Sequence, residues 1–445
     1  MGFSWSSFTA HSVMVGCCLR TGLSTEAFLS QDDKVPDDMN QVVSVATDDV
    51  MHFSNAGPHA GAAWMHELDC VFASVGVASN PTKNVVGARN ATCVGIDIID
   101  GFTPGPELQK LWTLLSASLD LFTNQSCSPL ELPSYCGTIQ WFSLLNRWLL
   151  SCFDETYAFN RGACPSDVRS VPPSVLSELM LSISLSLYWE ANLCRQWADM
   201  LVATDASPAF GFGVAVAHCS RSTARRVGRF SYKHDGVVRF AHGDGDPLEK
   251  PRSGEQLRVD FPMSKFKTVL SKRAAHVEHS GGMEAHALAL GMRWLSRCRK
   301  HHCKRVPFLV DATAVRGAAR TCRTSGHTLK TAIRRCADIA LACEWLVAVA
   351  YVPSESNAAD WPSRGLKRRQ HKRRSENTVR SNGKWVKAKR TRAQVWADNM
   401  MRDLRQRQAV IDREWLRWEF HESGPCLLPL SCTAPMASEE SVLSY

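Results

Sequence analysis

At 445 residues, with 44% hydrophobic and 21% charged side chains, the chain has a globular balance and the length of two or three domains. This excludes a disordered chain and a single small core. The formal net charge of +9, concentrated late in the chain, favours a polyanionic partner. Seventeen cysteines follow no regular framework, and many lie in helical or apolar stretches (Cys194, Cys336, Cys343). They read as reduced thiols in an intracellular protein, nuclear or cytoplasmic and not secreted. Cys298, His301, His302 and Cys303 lack a second ligand pair at zinc-finger spacing. No signal peptide or membrane partner is expected: the most apolar stretch, VLSELMLSISLSLYW, is short and broken by serines and Glu178. Met1-Gly2 with Ser6 fits a myristoylation pattern, although a different explanation is given below.

Residues 1–100 alternate short strands with turns. VVSVATDDVMHF predicts two strands around an Asp48-Asp49 turn, WMHELDCVFASVG a helix closed by Gly76, and ATCVGIDII a further β segment. Residues 101–197 read as helical. Leu108, Leu111, Leu115, Leu119 and Phe122 recur at helical spacing, Ile139 to Phe153 predicts a second helix, and Pro172-Pro173 opens a third.

Residues 198–365 change to α/β. MLVATDA, GVAVAHC and KFKTVLSKRA predict three strands, with a charged, glycine-rich inserted loop from His234 to Pro262. Met283, Ala287, Leu290, Trp294 and Cys298 then form one helix face, VPFLVD a fourth strand, and Leu329, Ile333, Cys336, Ala340 and Cys343 another helix face. WLVAVAYV predicts a fifth strand, and a short helix begins near Asn357. This order predicts a mixed five-stranded sheet with flanking helices. A basic linker follows at 366–395, then a helix at 396–422 and a loose tail at 423–445.

Four acids carry the chemistry. Asp205 lies in MLVATDA, Glu284 in GGMEAHALALGMRWL, Asp311 ends VPFLVD and Asp360 follows YVPSESNAA. A carboxylate at the end of a buried strand is costly unless it is paired or holds a metal. Four of them brought together make a hard-oxygen site suited to Mg²⁺ and two-metal phosphodiester chemistry.

The order and context of these acids resemble the ribonuclease H fold, in which an Asp lies on the first strand, a Glu on the first helix, an Asp ends the fourth strand and an Asp opens the last helix. Tyr351-Val-Pro-Ser-Glu-Ser-Asn-Ala-Ala-Asp360, with Ser363-Arg364 after it, is similar to the ending of retrotransposon ribonuclease H domains. The resemblance implies an endonuclease that cleaves RNA in RNA–DNA hybrids with two Mg²⁺ (or Mn²⁺), leaving a 3′-hydroxyl. Asp205 would bridge both ions, Glu284 and Asp311 would hold the one near the leaving oxygen, and Asp360 the one that activates water. Many members carry a mobile His in the loop before the last Asp; here the comparable place holds Tyr351. Gly281-Gly282 before Glu284 raise the ordering cost of that helix entry.

Residues 1–100 resemble the rear of a reverse transcriptase palm. MGFSWSSFTAHSVM resembles a motif lining the nucleotide site, Ala46-Thr47-Asp48-Asp49 the x-x-D-D hairpin, Gly76 with Asn80 to Lys83 the next motif, and Cys93-Val-Gly-Ile-Asp97 the primer grip. Lys83 would donate a proton to pyrophosphate. The following helices would be thumb and connection, and GTIQWFSLLNRWLLSCFDETY is similar to that region in tyrosine-recombinase-type and gypsy-like retrotransposons. The chain starts inside the first of these motifs, which accounts for Gly2 and Ser6 without acylation. Asp48 and Asp49 then lack the palm's third acid, so no polymerase activity is expected.

Lys367, Arg368, Arg369, Lys372, Arg373 and Arg374 form a cluster dense enough for nuclear import or a phosphate clamp, and Trp385 among lysines is placed to stack on a base. The competing expectation is a catalytically inactive or repurposed retroelement remnant that binds nucleic acid.

Overall fold

The computed structural model describes residues 5–29, 39–128, 131–160, 167–233, 235–240, 254–276 and 278–366, together with 378–381 and 384–387. The chain divides into units 1–368 and 369–445.

Period-two burial builds the central sheet. In Met200–Ala206 (β1), Met200 and Val202 belong to one buried cluster while Leu201 and Ala203 belong to another, so the strand is covered on both faces. Gly211–His218 (β2) repeats this, with Val214 and Val216 on one face and Ala215 and Ala217 on the other. Lys267–Arg273 (β3), Arg305–Val310 (β4) and Leu346–Tyr351 (β5) complete a five-stranded sheet in the order β3-β2-β1-β4-β5. β1 and β3 pair antiparallel to β2, and β4 runs parallel to β1 and β5. This mixed sheet is consistent with the expected ribonuclease H-like fold.

The helices cover both faces. Ser280–Ser296 (α2), Thr313–Thr321 (α3) and His327–Ala342 (α4) pack Leu288, Met292, Val315, Ile333 and Cys336 with Val202, Val214 and Phe308. On the opposite face, Arg221–Phe230 (α1) brings Val227 and Phe230 onto Leu201, Ala203 and Leu309. Asp360–Ser363 (α5) is a single turn that contacts β2 and β1.

Several expectations need correction. α1 and α3 were not foreseen, because their arginines outnumber their large apolar residues. α1 gains its footing instead from Gly228, where a Cβ would lie 1.9 Å from the Trp197 ring. The insert expected to be a loop at His234 to Pro262 contributes two parallel strands, Val237–Phe240 and Gln256–Val259. Phe240, Phe261 and Phe266 pack edge-on beside them, with centroids 5.5 to 6.3 Å apart. On α2 the buried arc is broader than the expected stripe and centres on Ala285, Leu288, Met292 and Leu295, while Leu290 and Trp294 are half-buried and Cys298 is exposed beyond the helix end. A helix held between a sheet and α4 buries more than one stripe.

Among the earlier residues, strands Gln41–Ala46 and Asp49–Ser54 pair about a Thr47-Asp48 turn, one residue earlier than expected, with Thr47 at φ 59°. Helix Pro58–Val75 ends at left-handed Gly76. Ala91–Cys93, Ile96–Ile99 and Thr103–Pro106 form a three-stranded sheet. Helix Leu108–Asn124 buries Leu114, Ser118 and Leu121, so the expected stripe is rotated and Leu108 and Leu119 are exposed. The expected second helix is an α-helix, Glu131–Ser143, followed by a 3₁₀ run, Leu144–Cys152, broken at Asn146.

No break in packing accompanies the expected boundary at 197. Leu114, Ile139, Phe142, Leu179 and Trp189 belong to the same buried cluster as Val202 and Phe308. Polar contacts reinforce it: Lys330 on α4 bonds Asp154, and Arg334 Nε donates to the Ser151 carbonyl at 3.0 Å. By contrast, Cys17, Cys18, Val43, Trp64, Leu68 and Phe72 form a separate cluster. In the second unit, Thr378–Ser381 and Lys384–Lys387 form an antiparallel hairpin where a linker was expected. The expected helix at 396–422 and tail at 423–445 lie outside the described residues.

Two glycines set the spacing around the end of β1. A Cβ on Gly291 of α2 would fall 2.6 Å from Thr204 Cγ2, and one on Gly213 of β2 would fall 2.5 Å from both the Ala359 carbonyl oxygen and the Ser363 nitrogen. The latter contacts are backbone and cannot rotate away. Gly213→Ala should therefore destabilise the protein by about 1–3 kcal/mol in denaturant unfolding.

Candidate metal centre

Asp205 is the penultimate residue of β1 and pairs in register with Gly213. Its side chain is only 4% exposed. Glu284 lies in the second turn of α2, and its Oε2 accepts the Ala206 N–H at 3.1 Å, which ties the helix entry to the strand end. The entry itself is built on Gly282, where a Cβ would fall 3.1 Å from Thr328 Cβ, so this glycine lets α2 start close against α4. Asp311 follows the last residue of β4.

These three carboxylates come together: one oxygen from each lies within 4.8 Å of the others. Among the described residues it is the one such group of three or more acid, His or Cys ligand atoms. The fourth expected acid, Asp360, is not a member of that group. Asp360 begins α5, and its Oδ1 accepts two hydrogen bonds from Arg364, from Nε at 2.9 Å and Nη2 at 2.7 Å. Its charge still acts on Asp205 and Glu284.

The approach of Asp360 depends on Asn357, which is 2% exposed. Asn357 Nδ2 donates to the Thr204 carbonyl at 3.1 Å, and its Oδ1 accepts the Ala359 N–H at 3.0 Å. One amide thus joins the loop after β5 to the residue preceding Asp205. Ser363, fully buried, donates to the Asp360 carbonyl at 2.7 Å. Asn357, Ser363 and Arg364 belong to the segment that carried the family resemblance, but their roles were not assigned from it. The spacing Asn357-x-x-Asp360 was the available signal.

Electrostatics explain why this set needs a counter-charge. Burial, then the Asp311 charge, push Asp205 up to about 8, against an opposite pull from the Ser363 hydroxyl. Burial, then the charges of Asp205 and Asp311, push Glu284 up to about 9. Three hard oxygen donors that repel one another fit Mg²⁺ or Mn²⁺ and would be relieved by either.

Asp48 and Asp49 are exposed on their hairpin, and Lys83 is exposed at the end of the 3₁₀ turn Pro81–Lys83. Tyr351 ends β5 opposite Val310, one residue before Asp311. Lys367, Arg368, Arg369, Lys372, Arg373 and Arg374 lie outside the described residues, and Trp385 pairs in backbone register with Arg380. His302 Nε2 bonds the Ser296 carbonyl at 2.6 Å and lies 3.5 Å from Cys343 Sγ.

The raised acids fix a sign. Their folded values lie above the ordinary carboxylate range, so the folded state binds more protons than the unfolded state between about pH 4 and the folded values of about 8 and about 9. Metal-free stability should therefore fall as pH rises through that window. Thermal melts in chelator at pH 5 and pH 8 should show the loss, and millimolar Mg²⁺ should reverse it. Asp205→Asn should raise metal-free stability at pH 8 by about 1–2 kcal/mol. A flat pH dependence in chelator would contradict this electrostatic account.

No protein-family model and no curated protein matches the chain. Among solved structures, it is similar to a foamy viral protease-reverse transcriptase dRH in complex with double-stranded DNA, at 12% identity and TM-score 0.29, over 69% of this chain and 45% of that one. A foamy viral protease-reverse transcriptase in complex with RNA/DNA hybrid matches at 9% identity and TM-score 0.27, over 73% of this chain and 59% of that one. The chain thus spans about half the length of the structures it matches.

Proposed function

We propose that this chain is a metal-dependent nuclease of ribonuclease H type that hydrolyses the RNA strand of RNA–DNA hybrids. The observation that carries this reading is the convergence of Asp205, Glu284 and Asp311 at the ends of β1 and β4 and the start of α2. The partner is a nucleic acid, in keeping with the chain's positive charge.

Asp205, Glu284 and Asp311 would hold the cation, with Asp360 the acid available for a second one. Such ions supply Lewis-acid polarisation of a phosphoryl oxygen and a water activated for in-line attack. The protein's contribution is positional. The Ala206 N–H fixes the Glu284 carboxylate, the two faces of the sheet fix β1, and Asn357 fixes the loop that presents Asp360. The acids are held in a mutual repulsion that a cation would relieve, and that cation would in turn attract a polyanionic substrate.

A second reading is binding without cleavage by a retroelement remnant. The pairing of Asp360 with Arg364 favours it, because that acid is turned to a cation within its own helix turn. Cleavage of an end-labelled RNA–DNA hybrid in Mg²⁺ separates the two. The nuclease reading expects cleavage that leaves a 3′-hydroxyl and falls at least about 100-fold in Asp205→Asn and Glu284→Gln. Hybrid binding with no Mg²⁺-dependent cleavage, or cleavage unchanged in those variants, would reject it.

A further inference from the structure

The short helix α5 places an acid and a base four residues apart at its two ends and closes on itself. The Leu366 N–H bonds the Trp361 carbonyl at 2.9 Å and the Gly365 N–H bonds the Pro362 carbonyl at 3.1 Å, with Gly365 left-handed at φ 69°. This paired-bond helix stop requires glycine at that position. Gly365 also lies against the Phe210 ring, where a Cβ would fall 2.7 Å from Cδ2. The backbone of Arg364 is therefore anchored at the helix end, while its side chain is 56% exposed.

From that anchor two guanidinium nitrogens, Nε and Nη2, reach one oxygen, Asp360 Oδ1. The Asp360 side chain is 22% exposed. Such a pair, open to solvent on the Arg side, is weakly held and screened by salt. A divalent ion beside Asp205 would be a stronger claimant on the same carboxylate.

We propose that Arg364 is a displaceable counter-cation. It holds Asp360 out of the Asp205–Glu284–Asp311 set until a divalent ion takes its place, so that the fourth carboxylate joins only in the loaded state. Arg364 is a positioning residue in this scheme, acting through Asp360. The inference rests on the metal-centre reading above and adds to it a rule for when Asp360 joins the site.

Calorimetric titration of the full chain with Mn²⁺ tests the proposal without reference to cleavage, using wild type, Arg364→Gln, Asp360→Asn and the double variant. Arg364→Gln should tighten Mn²⁺ binding by about two- to fivefold, the scale of an exposed ion pair. In the Asp360→Asn background the same substitution should tighten binding clearly less, since that contact is already gone and only the field of Arg364 on Asp205 and Asp311 remains. Arg364→Lys, which keeps the charge but loses the two-pronged contact, should fall between wild type and Arg364→Gln. It carries the test if Arg364→Gln does not fold. Equal tightening in both backgrounds would reduce Arg364 to a distant charge and overturn the proposal. Unchanged or weaker binding in Arg364→Gln would overturn it too. Mn²⁺ binding in wild type without coupling between Arg364 and Asp360 would reject the counter-cation role alone, whereas no binding in wild type would reject the metal centre as well.

Discussion

Mutual repulsion among three carboxylates, Asp205 buried and Glu284 and Asp311 half-buried, is the constraint around which the α/β region is arranged. Asp205, Glu284 and Asp311 come from a strand, a helix and a strand end, and nothing local to any one of them would place it beside the others. Their meeting costs folding free energy in the absence of a cation, as the raised positions of Asp205 and Glu284 show. The rest of the region supplies what that arrangement needs. The sheet is apolar on both faces, and close-packing glycines let α2 and α5 approach β1 and β2 without intervening side chains. Strain concentrated at a strand terminus and supported by a well-packed frame is how a protein keeps an otherwise unfavourable cluster of charges.

Much of this frame was legible in one dimension. MLVATDA, VPFLVD and WLVAVAYV are buried on both sides, so they stand out as continuous apolar runs bounded by polar residues. The acids stand out for the same reason, since Asp205 and Asp311 interrupt or end such runs. Elements whose stability comes from contact rather than composition were hidden. α1 contains four arginines and buries only Ala224, Val227, Gly228 and Phe230, so its periodicity is faint until Trp197 is seen under Gly228. The strands Val237–Phe240 and Gln256–Val259 are separated by a charged, glycine-rich stretch that masked their pairing. On helix Leu108–Asn124, leucines on both sides of the helix made the buried arc ambiguous by about one residue, and the exposure of Leu119 resolves it.

At the site, sequence order singled out the acids but not how each is oriented. Asp205, Glu284 and Asp311 converge, whereas Asp360 turns to Arg364, and that choice of rotamer is a competition between nearby charges that spacing alone does not encode. Asn357 was visible as part of a motif, but its work as a bridge from Thr204 to Ala359 depends on the loop after β5 reaching the end of β1, which lies two strands away in the sheet. The same distinction separates the amino-terminal acids from the others. Asp48 lies in the turn and Asp49 opens the following strand, and both are exposed there.

The continuous cluster that links Phe142, Leu179 and Trp189 to Phe308 and Trp345 bears on how the α/β region can be isolated. A fragment beginning near residue 198 would leave behind the helices that shield that apolar flank and would sever the ties from Lys330 and Arg334 to Asp154 and Ser151. Newly bared surface of this kind promotes self-association. The smallest autonomous piece that carries the three acids would accordingly start before helix Leu108–Asn124, making those helices a permanent flank rather than a detachable neighbour.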